Sequence, residues 1–232
     1  MDFENQDKTH LRGNVLIGTH KPSQMNFDLQ KRRLYGILDM GYVAPSETTR
    51  VATEMLEGGV EILQLRAKGY EPEQILELAL PLVAICRSFG VPLIINDHPE
   101  VVVKSGADGL HIGQDDIRVE RARELIGPGK ILGLSTHSPL QAKVALDEKP
   151  DYIGFGPLFS TPTKPEYISI GTSRIKEAHD LVNLPIFCIG GIKLENLSEV
   201  VSAGASRVAI VSGILKAENI ASYCRSCLAL LP

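Results

Sequence analysis

Cysteine is scarce in this chain. Cys86, Cys188, Cys224 and Cys227 are the four among 232 residues, far below the density of a disulfide-stapled scaffold, and each sits in apolar surroundings, which points to a reducing cytoplasm. There is no excess of positive charge either. The formal net charge of -4 provides no basic field for a polyanionic duplex, so nucleic acid is not the expected partner. No apolar run approaches the roughly 18 residues of a spanning helix, so a membrane is not expected either. The opening MDFENQDKTH carries acids and no apolar stretch, unlike a secretory signal or a transit peptide. The pair in CRSC, Cys224 and Cys227, lies in the last helix-like segment without a second pair or an adjacent histidine. Zinc needs about four ligands, so packing is the expected role.

What is present is an ordinary globular composition, 44% hydrophobic and 22% charged, sufficient for a sizeable core. From Leu34 onward short apolar runs alternate with longer amphipathic ones, the pattern of βα units on a parallel sheet. Eight strand candidates follow one another. They are Leu34 to Asp39, Glu61 to Arg66, Pro92 to Asp97, Gly109 to Ile112, Ile131 to Ser135, Asp151 to Gly156, Pro185 to Gly190 and Arg207 to Ser212. Ser138 followed by Pro139 reads as an N-cap and a first helical residue. Gly58-Gly59, Gly90, Gly106 and Gly204 read as helix-ending glycines. Eight repeats in about 200 residues imply a closed TIM (β/α)8 barrel. An open doubly wound sheet is the rival, but Asp39-Met40-Gly41 after the first strand is no dinucleotide turn. The expected organisation is a catalytic barrel over 34–232 with an N-terminal extension over 1–33. That extension is an arm, an extra helix closing the barrel bottom, or a contact in a homo-oligomer.

In such a barrel the active site lies at the C-terminal strand ends. The second strand leads through Gln64 and Arg66 to Lys68, the third ends in Asn96-Asp97, and the fourth is followed by Gln114, Asp115 and Asp116. The fifth ends at Ser135, and the sixth opens LFSTPTK, with Thr161, Thr163 and Lys164. Asp97 and Asp116 follow adjacent strands about 4.8 Å apart, so their carboxylates can converge on one hard cation, and two carboxylates with waters and substrate oxygens is how Mg²⁺ is held. The structural alternative is that each aspartate caps a helix. Arg66, Lys68 and Lys164 beside that acid pair describe a cradle for a Mg²⁺-diphosphate. The glycines of IGGI (Ile189 to Ile192) and VSGI (Val211 to Ile214) lie after strands seven and eight, where barrels of this kind bind a phosphate. No nucleophile emerges, and His111 and His137 are acid-base or structural candidates. A reaction in which diphosphate departs needs charge stabilisation more than proton transfer.

The segments QLRAK, IND, GLHIGQDD, GLSTH, GPLFSTPTK, IGGI and VSGI, in this order and spacing, closely resemble the thiamine-phosphate synthase family. The resemblance runs from Leu34 to about Leu215. It implies a Mg²⁺-dependent transferase joining 4-amino-2-methyl-5-hydroxymethylpyrimidine diphosphate to 4-methyl-5-(2-phosphoethyl)thiazole, giving thiamine phosphate and diphosphate by a dissociative route. Carried over by motif, Gln64, Arg66, Lys68, Asn96, Ser135 and Lys164 would hold the pyrimidine diphosphate, with Arg66, Lys68, Ser135 and Lys164 as the catalytic set. Asp97 and Asp116 would hold Mg²⁺, and Thr161, Thr163, Gly191, Val211 and Ser212 the thiazole phosphate. Two departures stand out: His98 occupies a position where many members carry an acid, and Ser206-Arg207 replaces Asp-Gly before the last strand. Two other functions suit the same barrel, a thiazole tautomerase-like isomerase and a non-catalytic sensor of thiamine precursors.

Overall fold

Alternation along each strand decides which side chains fill the inside of the sheet and which meet the helices. In the computed structural model, which describes residues 27–161 and 168–232, eight parallel strands close into a barrel in chain order. They are β1 (Leu34–Asp39), β2 (Ile62–Arg66), β3 (Leu93–Asn96), β4 (Gly109–Ile112), β5 (Ile131–Thr136), β6 (Tyr152–Phe155), β7 (Ile186–Ile189) and β8 (Val208–Ile210). The helices are α1 (Thr48–Glu57), α2 (Pro72–Phe89), α3 (Pro99–Ser105), α4 (Val119–Ile126), α5 (Pro139–Glu148), α6 (Ile175–Leu181), α7 (Leu194–Ser202), α8 (Ser212–Leu215) and α9 (Ile220–Leu230). The barrel expectation holds. Several strands are a residue or two shorter than expected, because Pro92 and Pro185 have no N–H for the ladder and Gly190 has already turned to φ +99°.

Leu34 and Leu38 of β1, Leu63 and Leu65 of β2, Leu93 and Ile95 of β3, and Ile153 and Phe155 of β6 belong to the core between sheet and helices. The opposite parity, Tyr35 and Ile37, Ile62, Ile94, Tyr152, Phe187 and Ala209, forms a separate core inside the barrel. At its centre the Tyr35 ring meets Phe187 edge-on, with centroids 5.3 Å apart at 88°, a favoured aromatic geometry.

Leu29 joins this inner core from below. It sits on a short 3₁₀ turn, Leu29–Lys31, whose preceding Asp28 accepts from the Gln30 amide. Arg32 donates to the carbonyls of Glu61 and Gly90, at 3.2 and 3.3 Å, and the Arg33 amide donates to Glu61 Oε2 at 2.6 Å. Arg207 reaches the Gln30 carbonyl at 2.6 Å. The basic residues before β1 and the unusual Arg207 thus tie residues 28–33 to the barrel bottom; residues 1–26 lie outside the described residues.

Local expectations also hold. Gly90 and Gly106 end α2 and α3 in the left-handed region, and Ser138 caps α5 by accepting from the Gln141 amide at 3.1 Å, with Pro139 first in the helix. Ser138→Ala removes that acceptor and is expected to cost about 1 kcal/mol. A thermal melt checks this, with Tm falling by roughly 2–4 °C. All four cysteines are free and buried, and burial pushes the Cys224 and Cys227 thiols up to about 12, so both are packing groups.

Candidate active site

At the C-terminal ends of the strands a cavity opens onto the inner core. Gln64, Arg66, Asn96, Ser135, Thr161, Gly191, Val211 and Ser212 all line it. Tyr35, Ile37, Tyr152 and Phe187 make its apolar floor. The polar atoms of this floor are bonded to one another. Gln64 Nε2 donates to the Tyr35 hydroxyl at 2.7 Å, and the hydroxyls of Tyr35 and Tyr152 are 2.9 Å apart. His111 bridges Tyr152 (3.0 Å) and Ser135 Oγ (2.9 Å). Burial pushes both tyrosine hydroxyls well above their ordinary range, so they stay protonated and act as hydrogen-bond links. His111 stacks on Tyr152 only because position 133 is glycine: a Cβ there would lie 2.1 Å from Tyr152 Cζ and 2.5 Å from His111 Nδ1. His137 Nδ1 lies 2.6 Å from the Gly156 carbonyl oxygen. Both histidines are therefore hydrogen-bonded members of the frame.

Neither aspartate caps a helix. His98 and Arg118 occupy the N-cap positions of α3 and α4, while Asp116 Oδ2 accepts from the Gly113 amide at 2.7 Å, closing the turn after β4. Asp97 has φ +65°, a left-handed conformation that aspartate tolerates better than most residues but which is still costly. Strain of this kind collects at functional sites. Burial raises the Asp97 carboxyl above the usual range; Lys68 draws it back down, and Asp116 raises it further. Lys68 forms an ion pair with Asp97 Oδ2, yet that buried oxygen has no hydrogen-bond partner of good geometry. No set of three or more His, Cys, Asp or Glu gathers into a metal cage among the described residues. Asp97 and Asp116 are close enough for each to act on the other's ionisation, and two such carboxylates fit a hard cation that would take its remaining ligands from water and substrate, as Mg²⁺ does. His98 is turned to Glu100, at 3.1 Å.

Arg66 carries a buried ion pair that the sequence reading did not include. Its Nη1 donates to Asp39 Oδ2 at 2.5 Å, and Asp39 is 2% exposed. Sequence reasoning missed Asp39, although counting by twos from Tyr35 and Ile37 would have turned it inward beside Arg66. The same parity would have found the aromatic floor.

On the other side of the mouth, Gly190 (φ +99°) and Gly191 (φ +65°) let the loop after β7 pass against the loop after β6. Leu158 N donates to the Ile189 carbonyl at 2.8 Å and Phe159 N to Gly190 O at 3.0 Å. The Gly191 carbonyl accepts from Asn196 Nδ2 at 3.0 Å, and α8 begins beside it at Ser212. Thr163 and Lys164 fall in 162–167, outside the described residues.

Fold and cavity together define a (β/α)8-barrel enzyme with its site at the C-terminal face. The thiamine monophosphate synthase family model matches residues 34–214, and the chain belongs to that family. It is 39% identical over 193 residues to the thiamine-phosphate synthase of Halalkalibacterium halodurans, covering 83% of this chain and 92% of the relative. Over 175 residues it is 43% identical to that of Thermus thermophilus, covering 75% and 84%. The solved thiamine phosphate pyrophosphorylase of Pyrococcus furiosus superposes with a TM-score of 0.80 at 28% identity, covering 87% of this chain and 96% of that one.

Proposed function

We propose that this chain condenses 4-amino-2-methyl-5-hydroxymethylpyrimidine diphosphate with 4-methyl-5-(2-phosphoethyl)thiazole, releasing diphosphate and forming thiamine phosphate. One observation carries the assignment of the site: residues suited to two separate anions, Arg66 and Asn96 on one side and Gly191, Val211 and Ser212 on the other, line a single cavity. Two anionic substrates held across one apolar floor is what a joining reaction requires.

In this reading Gln64 and Ser135 orient the pyrimidine over the floor of Tyr35, Tyr152 and Phe187. Arg66, Lys68 and Lys164 neutralise the diphosphate as its C–O bond breaks and it departs with the electron pair. The resulting pyrimidine-methyl cation is trapped by the thiazole nitrogen, which forms the new C–N bond. Thr161 and Thr163, with Gly191, Val211 and Ser212, hold the thiazole phosphate. Asp97 and Asp116 would hold Mg²⁺, which when bound supplies positive charge to the leaving diphosphate. No proton needs to move to a side chain, which agrees with two histidines engaged in the frame. The floor keeps water from a cation it would otherwise consume.

The catalytic domain in this reading is 34–232, with 1–33 an extension that contributes the bottom plug through Leu29 and is available for contact with a second copy. Four free thiols favour a cytoplasmic setting, with the two small molecules as partners. No helix among the described residues is long and apolar enough to cross a membrane.

Incubating the protein with both substrates and Mg²⁺ is expected to give thiamine phosphate and diphosphate in equal amounts, and a chelator is expected to abolish both. Isomerisation of the thiazole without condensation would instead identify the tautomerase, and binding without turnover the sensor.

A further inference from the structure

We propose that Asp39 is a positioning residue for the diphosphate-binding Arg66. The inference rests on the reading of Arg66 given above. Asp39 ends β1 and Arg66 ends β2, and the two stand directly opposite each other in the ladder. Their side chains share the inward parity, which places them on the same side of the sheet. Asp39 Oδ2 accepts from Arg66 Nη1 at 2.5 Å, while Oδ1 accepts from the Gly41 amide at 2.8 Å. Both carboxylate oxygens are thus engaged, one on the loop backbone and one on the guanidinium. The carboxylate is anchored to the fold at the same time as it grips the arginine.

The ion pair is nearly dry, with side-chain exposures of 3% for Asp39 and 14% for Arg66. Breaking one side of such a pair leaves the other charge stranded, so the guanidinium has a single low-energy place to be. A long arginine side chain otherwise samples many rotamers, and a planar fork binds an anion well only when its plane is fixed. With Nη1 held from behind, the rest of the fork remains for the cavity that Arg66 lines. Asp39 does not line that cavity, so its effect on the reaction passes through Arg66.

Asp39→Asn keeps the side-chain shape and an acceptor for the Gly41 amide but removes the charge. In the full chain with Mg²⁺ it is expected to raise KM for the pyrimidine diphosphate about tenfold, in line with other supporting groups behind a charged ligand site. KM for the thiazole phosphate should not change. Placed in an Arg66→Met background, the same substitution should alter kcat/KM by less than about twofold, because the residue it positions is gone. An equal loss in both backgrounds, or a parallel rise in both KM values, would mean that Asp39 only supports the fold and would overturn the inference. If Asp39→Asn does not fold, Asp39→Glu moves the carboxylate by one methylene with its charge kept. It is expected to raise KM for the pyrimidine diphosphate alone, and wild-type kinetics there would count against positioning. Unchanged kinetics in Arg66→Met itself would remove Arg66 from the diphosphate site, a failure of the underlying assignment that is told apart from an additive cycle.

Discussion

Asp97→Asn is expected to give a protein that folds at least as well as the parent and has lost nearly all turnover. The Asp97 carboxyl is raised by burial and again by Asp116, against the opposing pull of Lys68. A carboxyl raised in the folded state contributes stability below its unfolded value and loses it as pH rises through the folded value. At neutral pH without metal, the ionised group is therefore a net burden on the fold. Asparagine carries no charge and is at home at φ +65°, so Tm at pH 7 should rise by a few degrees. In acid, where the parent aspartate is itself protonated, the two melts should converge. Calorimetric titration should show Mg²⁺ affinity falling by ~100-fold or more, since changes that merely support metal ligands already cost 10–100-fold. Metal binding to the parent should weaken as pH falls and release protons. A variant that keeps wild-type Mg²⁺ affinity and turnover would remove Asp97 from the metal site.

Which parts of the molecule are legible in the sequence depends on how local their partners are. The barrel was legible because eight apolar runs alternate with amphipathic ones, and a repeated pattern survives errors at any one boundary. Ser138-Pro139 and Gly90 were legible because capping chemistry is local: the residues that signal the turn are the residues that make it. Lys68, Asp97 and Asp116 stood out only as a set: alone, each reads as a helix cap or a solvated rim charge, but acids and cations gathered on one face of the barrel describe a metal-diphosphate site. Asp39 did not stand out, since it resembles an ordinary end to β1 and its meaning comes from Arg66, 27 positions along the chain. The linked hydroxyls of Tyr35 and Tyr152, 117 positions apart, were hidden for the same reason. In an apolar strand a tyrosine reads as core, and its hydroxyl acquires a role only when the barrel closes and supplies a partner. Gly133 belongs with them: the space it leaves is filled by side chains from β4 and β6.

Gly190→Ala is expected to damage the thiazole-phosphate side of the site and the fold together. The glycine has φ +99°, a conformation that alanine adopts only under strain, and an added Cβ would lie 2.4 Å from Pro157 Cα and 2.9 Å from Leu158 N. Those are backbone atoms, so no side chain can rotate away. The loop after β6 must move, and with it the bonds from Leu158 N to Ile189 O and from Phe159 N to Gly190 O. Strain and overpacking each cost about 1–3 kcal/mol, which for a domain of this size lowers Tm by roughly 4–24 °C. Gly90 is the control. It is left-handed at φ +65° and ψ 30°, and nothing lies within 4 Å of a Cβ built there, so Gly90→Ala carries a conformational cost without the collision and should melt closer to the parent. Kinetically, Gly190→Ala should raise KM for the thiazole phosphate more than KM for the pyrimidine diphosphate, because Thr161, Thr163 and Gly191 all belong to the two disturbed loops, whereas of the diphosphate's cations only Lys164 does and Arg66 and Lys68 stand at the end of β2 or just beyond it. Equal losses for the two substrates would show that the two loops serve the barrel mouth as a whole and would undo the division of the cavity into two anion sites.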